Sequence, residues 1–147
     1  MTRILHLSDP HFGTEQQAVM TALMQLVEEQ RPTLALLSGD ITQRARPDQF
    51  RRARLFMEQL GIPMLAVPGN HDMKFVRLLR GKKVTVNHGL DCTLAELEAL
   101  PDKGAASKRD LLAFFDGLVS HYVLDEGRLV VAHAGMRSDL AGRTSAA

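Results

Sequence analysis

Apolar residues come in three short runs in the first half of the chain, and each run breaks on a polar turn. Ile4-Leu5-His6-Leu7 leads into Ser8-Asp9-Pro10-His11, Leu36-Leu37 leads into Ser38-Gly39-Asp40, and Met64-Leu65-Ala66-Val67 leads into Pro68-Gly69-Asn70-His71-Asp72. Short apolar runs bounded by turn residues predict buried strands, here Arg3–Leu7, Thr33–Leu37 and Met64–Val67. The second is apolar on both faces, as a central parallel strand is. Between the strands the spacing becomes helical. Thr14 to Gln17 has the form of a capping box and predicts a helix to about Gln30. Its buried face would be Ala18, Ala22, Leu23, Leu26 and Val27, and Pro32 would end it. A second helix should open at Arg46-Pro47-Asp48, with Pro47 in its first turn. Phe50, Ala53, Phe56, Met57 and Leu60 form its apolar stripe, and Gly61 suits its end. This β-α-β-α-β order predicts a parallel sheet with right-handed crossovers, whose strands finish on one common edge.

Beyond Asp72 the pattern predicts a helix over Met73–Arg80 stopped by Gly81, and a short strand at Val84–Val86. A capping box at Thr93–Glu96 predicts a further helix, stopped by Pro101. Asp102–Ala106 reads as a loop, and Ser107 as the cap of a helix to about Asp116. His121–Leu124 and Arg128–His133 flank Asp125-Glu126-Gly127, which predicts a hairpin with glycine where φ must be positive. The expectation is one α/β domain over residues 1–147. It divides into a β-α-β-α-β half at 1–69, a second half at 70–134, and a tail from Gly135 to Ala147 expected to be disordered.

Composition narrows the function more than the fold. The 147 residues suffice for a real core, since a domain of that size buries roughly 68–70% of its unfolded surface. A formal net charge of +1 gives no global field that would select nucleic acid or an anionic membrane. The single cysteine, Cys92, excludes an internal disulfide framework, fits a reducing compartment and reads as a small buried hydrophobe. No run is long enough for a membrane helix. The N-terminus enters a strand almost at once, so no signal peptide is expected, and the expected compartment is the cytoplasm.

The residues at the three strand ends carry the chemistry. Carboxylate, imidazole and amide oxygen together suit a divalent ion such as Mn²⁺, Fe²⁺ or Zn²⁺. Asp9 and His11 are two apart and can turn toward one ion. Asp40 can bridge two ions through its two oxygens, and Asn70 offers an amide oxygen to the second. His71 is adjacent and free to act as an acid or to stabilise charge. Arg44, four residues after Asp40, is a planar cation suited to two-point contact with phosphate. Two ions about 3.5–4 Å apart clamp the attacking and leaving oxygens of an in-line phosphoryl displacement.

These segments, SDPH (Asp9, His11), GDITQR (Asp40, Arg44) and GNHD (Asn70, His71), resemble the first three motifs of the calcineurin-like metallophosphoesterases. The resemblance implies a β-sandwich flanked by helices and a two-metal hydrolase of phosphate esters, with Mn²⁺ the leading metal. By that likeness Asp9 and His11 hold the first ion, Asp40 bridges, Asn70 holds the second, His71 assists the leaving group, and Arg44 binds phosphate. The later run Leu129–Gly135 (LVVAHAG) matches the family's next motif and makes His133 a ligand of the second ion. The family's closing motif, Gly-His followed by His or Thr-Pro, has no counterpart after His133, and the second sheet is expected to be incomplete. Residues 1–69 look like cyclic-nucleotide-phosphodiesterase-type phosphohydrolases. Residues 70–147 look like diadenosine-tetraphosphatase or polynucleotide-phosphatase members. A truncated or hybrid member joined near GNHD is the implied reading.

Other histidines have plainer readings. His6 is expected to be a satisfied core residue of its strand, His88 a turn residue, and His121 structural. Two basic clusters remain, Arg44, Arg46, Arg51, Arg52 and Arg54 around the second helix, and Lys74, Arg77, Arg80, Lys82 and Lys83 around the third. Both adjoin the strand ends and would draw a phosphate-rich substrate such as a nucleotide or a nucleic-acid end; a solvated helix face is the plainer alternative. Three functions stay open. They are a phosphohydrolase acting on diesters or nucleotides, a catalytically impaired scaffold, and a fragment of a longer phosphatase whose open sheet edge invites a second copy.

Overall fold

The structure is a computed structural model that describes residues 2–44, 46–86, 90–133 and 136–140. Three strands, β1 (Ile4–Ser8), β2 (Leu34–Gly39) and β3 (Met64–Pro68), form a parallel sheet in that order. The register sets Leu5 beside Ala35 and Ser8 beside Ser38 across one pair, and Ala35 beside Met64 and Gly39 beside Pro68 across the other. The central strand is buried from Ala35 onward, as its two-sided apolar pattern requires. Helices α1 (Gln17–Gln30) and α2 (Pro47–Leu60) supply the crossovers. Their core with the sheet is built from Phe12, Leu37, Ile41, Ala53, Phe56, Leu60 and Ala66, joined by Val76 and Phe115 from later helices. Pro47 opens α2 and Gly61 closes it at φ 62°, a left-handed conformation that costs glycine little.

The second half adds α3 (Asn70–Leu79), α4 (Leu90–Glu98), a 3-10 turn at Pro101–Gly104, and α5 (Ala105–Asp116). Phe75, Leu90, Leu97 and Leu111 fuse these three helices into their own core. Strands β4 (His121–Leu124) and β5 (Leu129–Ala132) pair antiparallel around Asp125-Glu126-Gly127, with Gly127 at φ 88° as the hairpin predicts. Val131 of β5 packs on Leu36 and Val67, so the hairpin lies across one face of the three-stranded sheet. This is a helix-flanked sandwich whose second sheet has two strands among the described residues, matching the expected incomplete sandwich. The hairpin leaves the β1 side of that face uncovered. Ile4 sits beside Leu34 and His6 beside Leu36, yet Ile4 is 41% exposed and His6 is exposed.

Several local expectations are corrected. The Thr14 hydroxyl donates to the His11 carbonyl and the Glu15 carboxylate accepts from the Gly13 N–H, so both groups serve the loop and α1 starts later, without a side-chain cap. The packed face of α1 is Met20, Leu23, Met24 and Val27, while Leu26 is 45% exposed. Helix α3 begins at Asn70, not Met73, because Asp72 reaches back to the Gly69 N–H and closes its first turn. Helix α4 begins before Thr93, whose hydroxyl is drawn to the Arg44 carbonyl instead of capping a turn. Helix α5 likewise starts two residues before Ser107. Val84–Val86 forms no strand; Val84 packs instead against the core of Phe75, Leu90, Leu97 and Leu111. Cys92 is exposed on α4 rather than buried. Of the tail, Ser138–Leu140 forms a 3-10 turn, and residues 134–135 and 141–147 lie outside the described residues.

Candidate metal centre

Three strand ends build the centre because the parallel pairing continues past the strands themselves. The Asp9 N–H donates to the Ser38 carbonyl at 2.8 Å, the His11 N–H to the Asp40 carbonyl at 3.2 Å, and the Phe12 N–H to the Ile41 carbonyl at 2.9 Å. This laced pair of loops carries Asp9 and His11 alongside Asp40, and one ligand atom from each lies within 4.8 Å of the others. Asp9 and His11 hold φ 50° and 45°, a strained region for residues with a Cβ. Such strain is typical of positions where geometry serves a site. Two glycines make room. A side chain at Gly39, which holds φ 91°, would strike the Asp9 carboxylate, and one at Gly69 would strike the Asp40 carboxylate and its backbone.

The third strand end contributes through the start of α3. The His71 N–H donates to Asp40 Oδ1 at 3.1 Å, while His71 Nδ1 lies 3.6 Å from Asp40 Oδ2. His133, one residue past β5, closes the ring. Its Nε2 is 3.3 Å from Asn70 Oδ1 and its Nδ1 is 3.8 Å from Asp9 Oδ1. Asp9, His11, Asp40, Asn70, His71 and His133 are thus brought together.

The donor set fits a divalent cation. Carboxylate and amide oxygens with imidazole nitrogens are ligands of that class of ion, and His11 Nδ1 is buried without a hydrogen-bond partner among the described residues. A buried polar atom left unpaired is costly, so a histidine of this cluster with such an atom is one whose environment lacks a partner. Charge within the cluster is tuned in two directions. Burial works against the Asp9 carboxylate, but the Ser8 hydroxyl, the Asp40 N–H and the two imidazoles outweigh it and hold its pKa below the ordinary 3.8. Asp72 goes the other way. It is 1% exposed, and burial pushes its carboxyl up to about 7 although the Ile41 and Gly69 N–H groups bond to it; the nearby Asp40 and Asp9 charges add to the rise.

Asp72 is the residue that motif reading passed over. Its Oδ2 accepts from the Ile41 N–H at 3.1 Å and the Gly69 N–H at 3.3 Å, tying the loop after β2 to the start of α3. Its place at the third position of α3 was the available signal, and it needed the helix start to be read at Asn70. Gln49 is a second such tie. Buried on α2, it accepts from the Arg44 N–H at 2.9 Å and the Arg46 N–H at 3.4 Å, and its side chain fills the space beside Gly13. Arg44 itself is exposed, with its backbone held from both sides by Gln49 and Thr93.

The remaining histidines lie outside this cluster or beyond description. His6 is exposed rather than a core residue, its Nε2 2.8 Å from the Ser38 hydroxyl, because the hairpin does not reach over β1. His121 is buried, with the Ser120 hydroxyl at 3.0 Å from Nδ1, a structural role. His88 lies outside the described residues. No helix among the described residues is long and apolar enough to cross a membrane.

A two-layer sandwich with acid, imidazole and amide donors at its strand ends is the form of a metallophosphoesterase, and the sequence profile of the calcineurin-like phosphoesterases matches residues 2–144. The chain belongs to that family. It is similar to the asymmetrical bis(5'-nucleosyl)-tetraphosphatase PrpE of Bacillus cereus (strain AH820), 42% identical over 108 residues, covering 71% of this chain and 44% of that protein. To the PrpE of Geobacillus thermodenitrificans (strain NG80-2) it is 47% identical over 78 residues, covering 52% of this chain and 32% of the other. The chain therefore spans less than half the length of these relatives. A match to 71% of the chain is more than residues 70–147 supply, so the likeness to tetraphosphatases reaches back across GNHD.

Proposed function

We propose that this chain is a metal-dependent phosphohydrolase of phosphate esters that takes nucleotide substrates. The observation that carries it is the convergence of one ligand atom each from Asp9, His11 and Asp40 within 4.8 Å of one another, with Asn70 and His133 alongside. Asp9 and His11 would hold one divalent ion, Asp40 would bridge, and Asn70 and His133 would hold a second. Mn²⁺ is the leading choice, with Fe²⁺ and Zn²⁺ also suited to these donors. When bound, such ions supply Lewis-acid charge that neutralises phosphoryl oxygens and acidifies water. The protein's own groups do the rest. Arg44, on a loop held by Gln49 and Thr93, offers a fork of donors to the phosphate. His71, leaning on Asp40 and 46% exposed at its side chain, can pass a proton to the leaving oxygen or stabilise its charge.

The names of the PrpE relatives favour a nucleoside polyphosphate as substrate, and the first-half likeness to cyclic-nucleotide phosphodiesterases favours a diester. Relative rates on a dinucleoside tetraphosphate and on bis-p-nitrophenyl phosphate separate the two. An exposed single cysteine fits a reducing cytoplasm. The decisive test is hydrolysis of bis-p-nitrophenyl phosphate as Mn²⁺ is titrated in, beside Asp40→Asn. Turnover should require Mn²⁺, and the variant should lose more than the roughly 10–100-fold that loss of an outer-shell partner costs. A folded chain that turns over neither substrate at any Mn²⁺ concentration would overturn the reading in favour of a non-catalytic module.

A further inference from the structure

Helices α2 and α5 meet through aromatic side chains. Phe50 of α2 stands edge-on to Phe115 at 5.6 Å between ring centroids, and Phe114 lies 5.2 Å from Phe115 and 6.5 Å from Phe50. Consecutive helical positions point about 100° apart, so α5 sends one ring of the pair inward and the other outward. Phe115 is buried with the core, whereas Phe114 is 40% exposed. Beside this triad the two helices line a cavity of about 400 Å³, with Phe50, Met57, Leu111 and Phe114 on its walls. That volume falls within the range of small-molecule sites. Aromatic walls favour an aromatic guest, which can set its edge or face against theirs. Met57 is unbranched and adapts to the guest's outline. Ile41, the residue after Asp40, also lines the cavity, but no candidate metal ligand does, nor does Arg44 or His71. The cavity is therefore separate from the candidate centre.

The charges at its rim select among guests. Arg51 and Arg54 of α2 and Asp110 of α5 line it. Arg54 is engaged by Glu58 at 3.4 Å, and Asp110 has Arg109 at 4.0 Å. Elsewhere around α2, Arg46 meets Asp48 and Glu96 at 3.3 and 2.7 Å, and Arg52 meets Glu15 and Asp48 at 3.0 and 3.1 Å. Arg51 is exposed and has no ion pair among the described residues. A guanidinium left to a ligand beside an aromatic-walled cavity suits a planar anion with a ring attached.

We infer that the α2–α5 cavity is a binding site for a small aromatic anion, its ring among Phe50, Met57 and Phe114 and its carboxylate or sulfonate on Arg51. Binding there does not depend on the metal-ligand cluster or on the phosphohydrolase reading.

The test is calorimetric titration of the full chain with 2-naphthoate and with its uncharged counterpart, 2-naphthamide. One molecule should bind per chain, the carboxylate about threefold to fivefold tighter than the amide, the scale of an exposed charge pair. Arg51→Ala should erase that preference and leave 2-naphthamide bound as before. Ser107 lines the cavity, so Ser107→Leu should fill it and weaken both compounds about tenfold or more. Should that variant melt early, Phe114→Ser removes a wall at an exposed position and should weaken both while melting near the wild-type temperature. Val19→Ser, at a position 59% exposed on α1, removes apolar surface elsewhere and should change neither affinity. A wild-type chain that binds neither compound or both equally, an Arg51 variant that keeps the preference, folded cavity variants that bind like the wild type, or a Val19 variant that loses binding each overturns the site.

Discussion

Gly39 and Gly69 show how little space separates the acids of the centre. A methyl group at either would meet a carboxylate oxygen, and at Gly39 it would also meet a backbone at φ 91° that other residues adopt only under strain. Gly39→Ala should therefore cost about 1–3 kcal/mol of stability and displace Asp9, lowering Mn²⁺ affinity measured by calorimetry. An unchanged affinity would mean the Asp9 position is not critical. Asp72 yields a prediction about pH. In the metal-free chain its folded pKa of about 7 lies above the ordinary 3.8, so the folded state holds the proton more tightly than the unfolded one. The stability this contributes is complete below about pH 3.8 and is lost as pH rises through 7, a swing on the order of a few kcal/mol. Asp72→Asn cannot ionise. In denaturant unfolding of the metal-stripped protein, the variant should gain on the wild type between pH 5 and pH 8; parallel curves would show that Asp72 carries no such burden.

At the scale of elements, the ties between α2, α4 and the Arg44 loop matter more than any single charge. Gln49 holds two backbone N–H groups and Thr93 one carbonyl, all inside the fold. Truncating Gln49 leaves two part-buried donors without their acceptor and opens a void beside Gly13, and Gln49→Ala should cost about 1–3 kcal/mol. Because the loop it frees carries Arg44, KM for a phosphate ester should rise more than kcat falls. Equal loss in both would make Gln49 merely structural. The elements themselves were unevenly legible. The stripe of α2 from Phe50 to Leu60 was plain because both ends are marked, by Pro47 and Gly61. The start of α3 was hidden because its cap is made by Asp72 from within the turn, and GNHD reads equally well as a loop. Thr93 looked like a cap because Ser or Thr three residues before Glu is a local signal, whereas its partner, the Arg44 carbonyl, is 49 residues away in sequence.

At the scale of the whole molecule, the centre depends on a hairpin seated on the first sheet through Val131, with Tyr122, Leu124 and Leu129 packed around it. Val131 against Leu36 and Val67 is the seat that holds His133 over Asp9 and Asn70. Val131→Ala should lower Mn²⁺ affinity and the melting temperature together, although residue 131 is no ligand. A variant with reduced stability and undiminished affinity would mean that His133 is held by other means. The uncovered β1 side of the sheet, with Ile4 and His6 in the open, follows from the same fact, that two strands cannot cover three.

The three parallel strands, their order, the crossover helices, and the acids and imidazoles at the strand ends follow from spacing and residue chemistry, whereas His133 entered only through the likeness of LVVAHAG to the family's next motif. Buried strands demand apolar runs, and a polar turn after each run leaves acids and imidazoles at one edge. What no local pattern could carry is distance between segments far apart in the chain. The union of His133 with Asn70, the bond from Asp72 to the Ile41 loop, the exposure of His6 and Cys92, and the neutralising of Arg46 by Glu96 depend on which surfaces meet. Those meetings are settled by how the apolar faces of sheet, hairpin and helices pack together, a property of the folded whole.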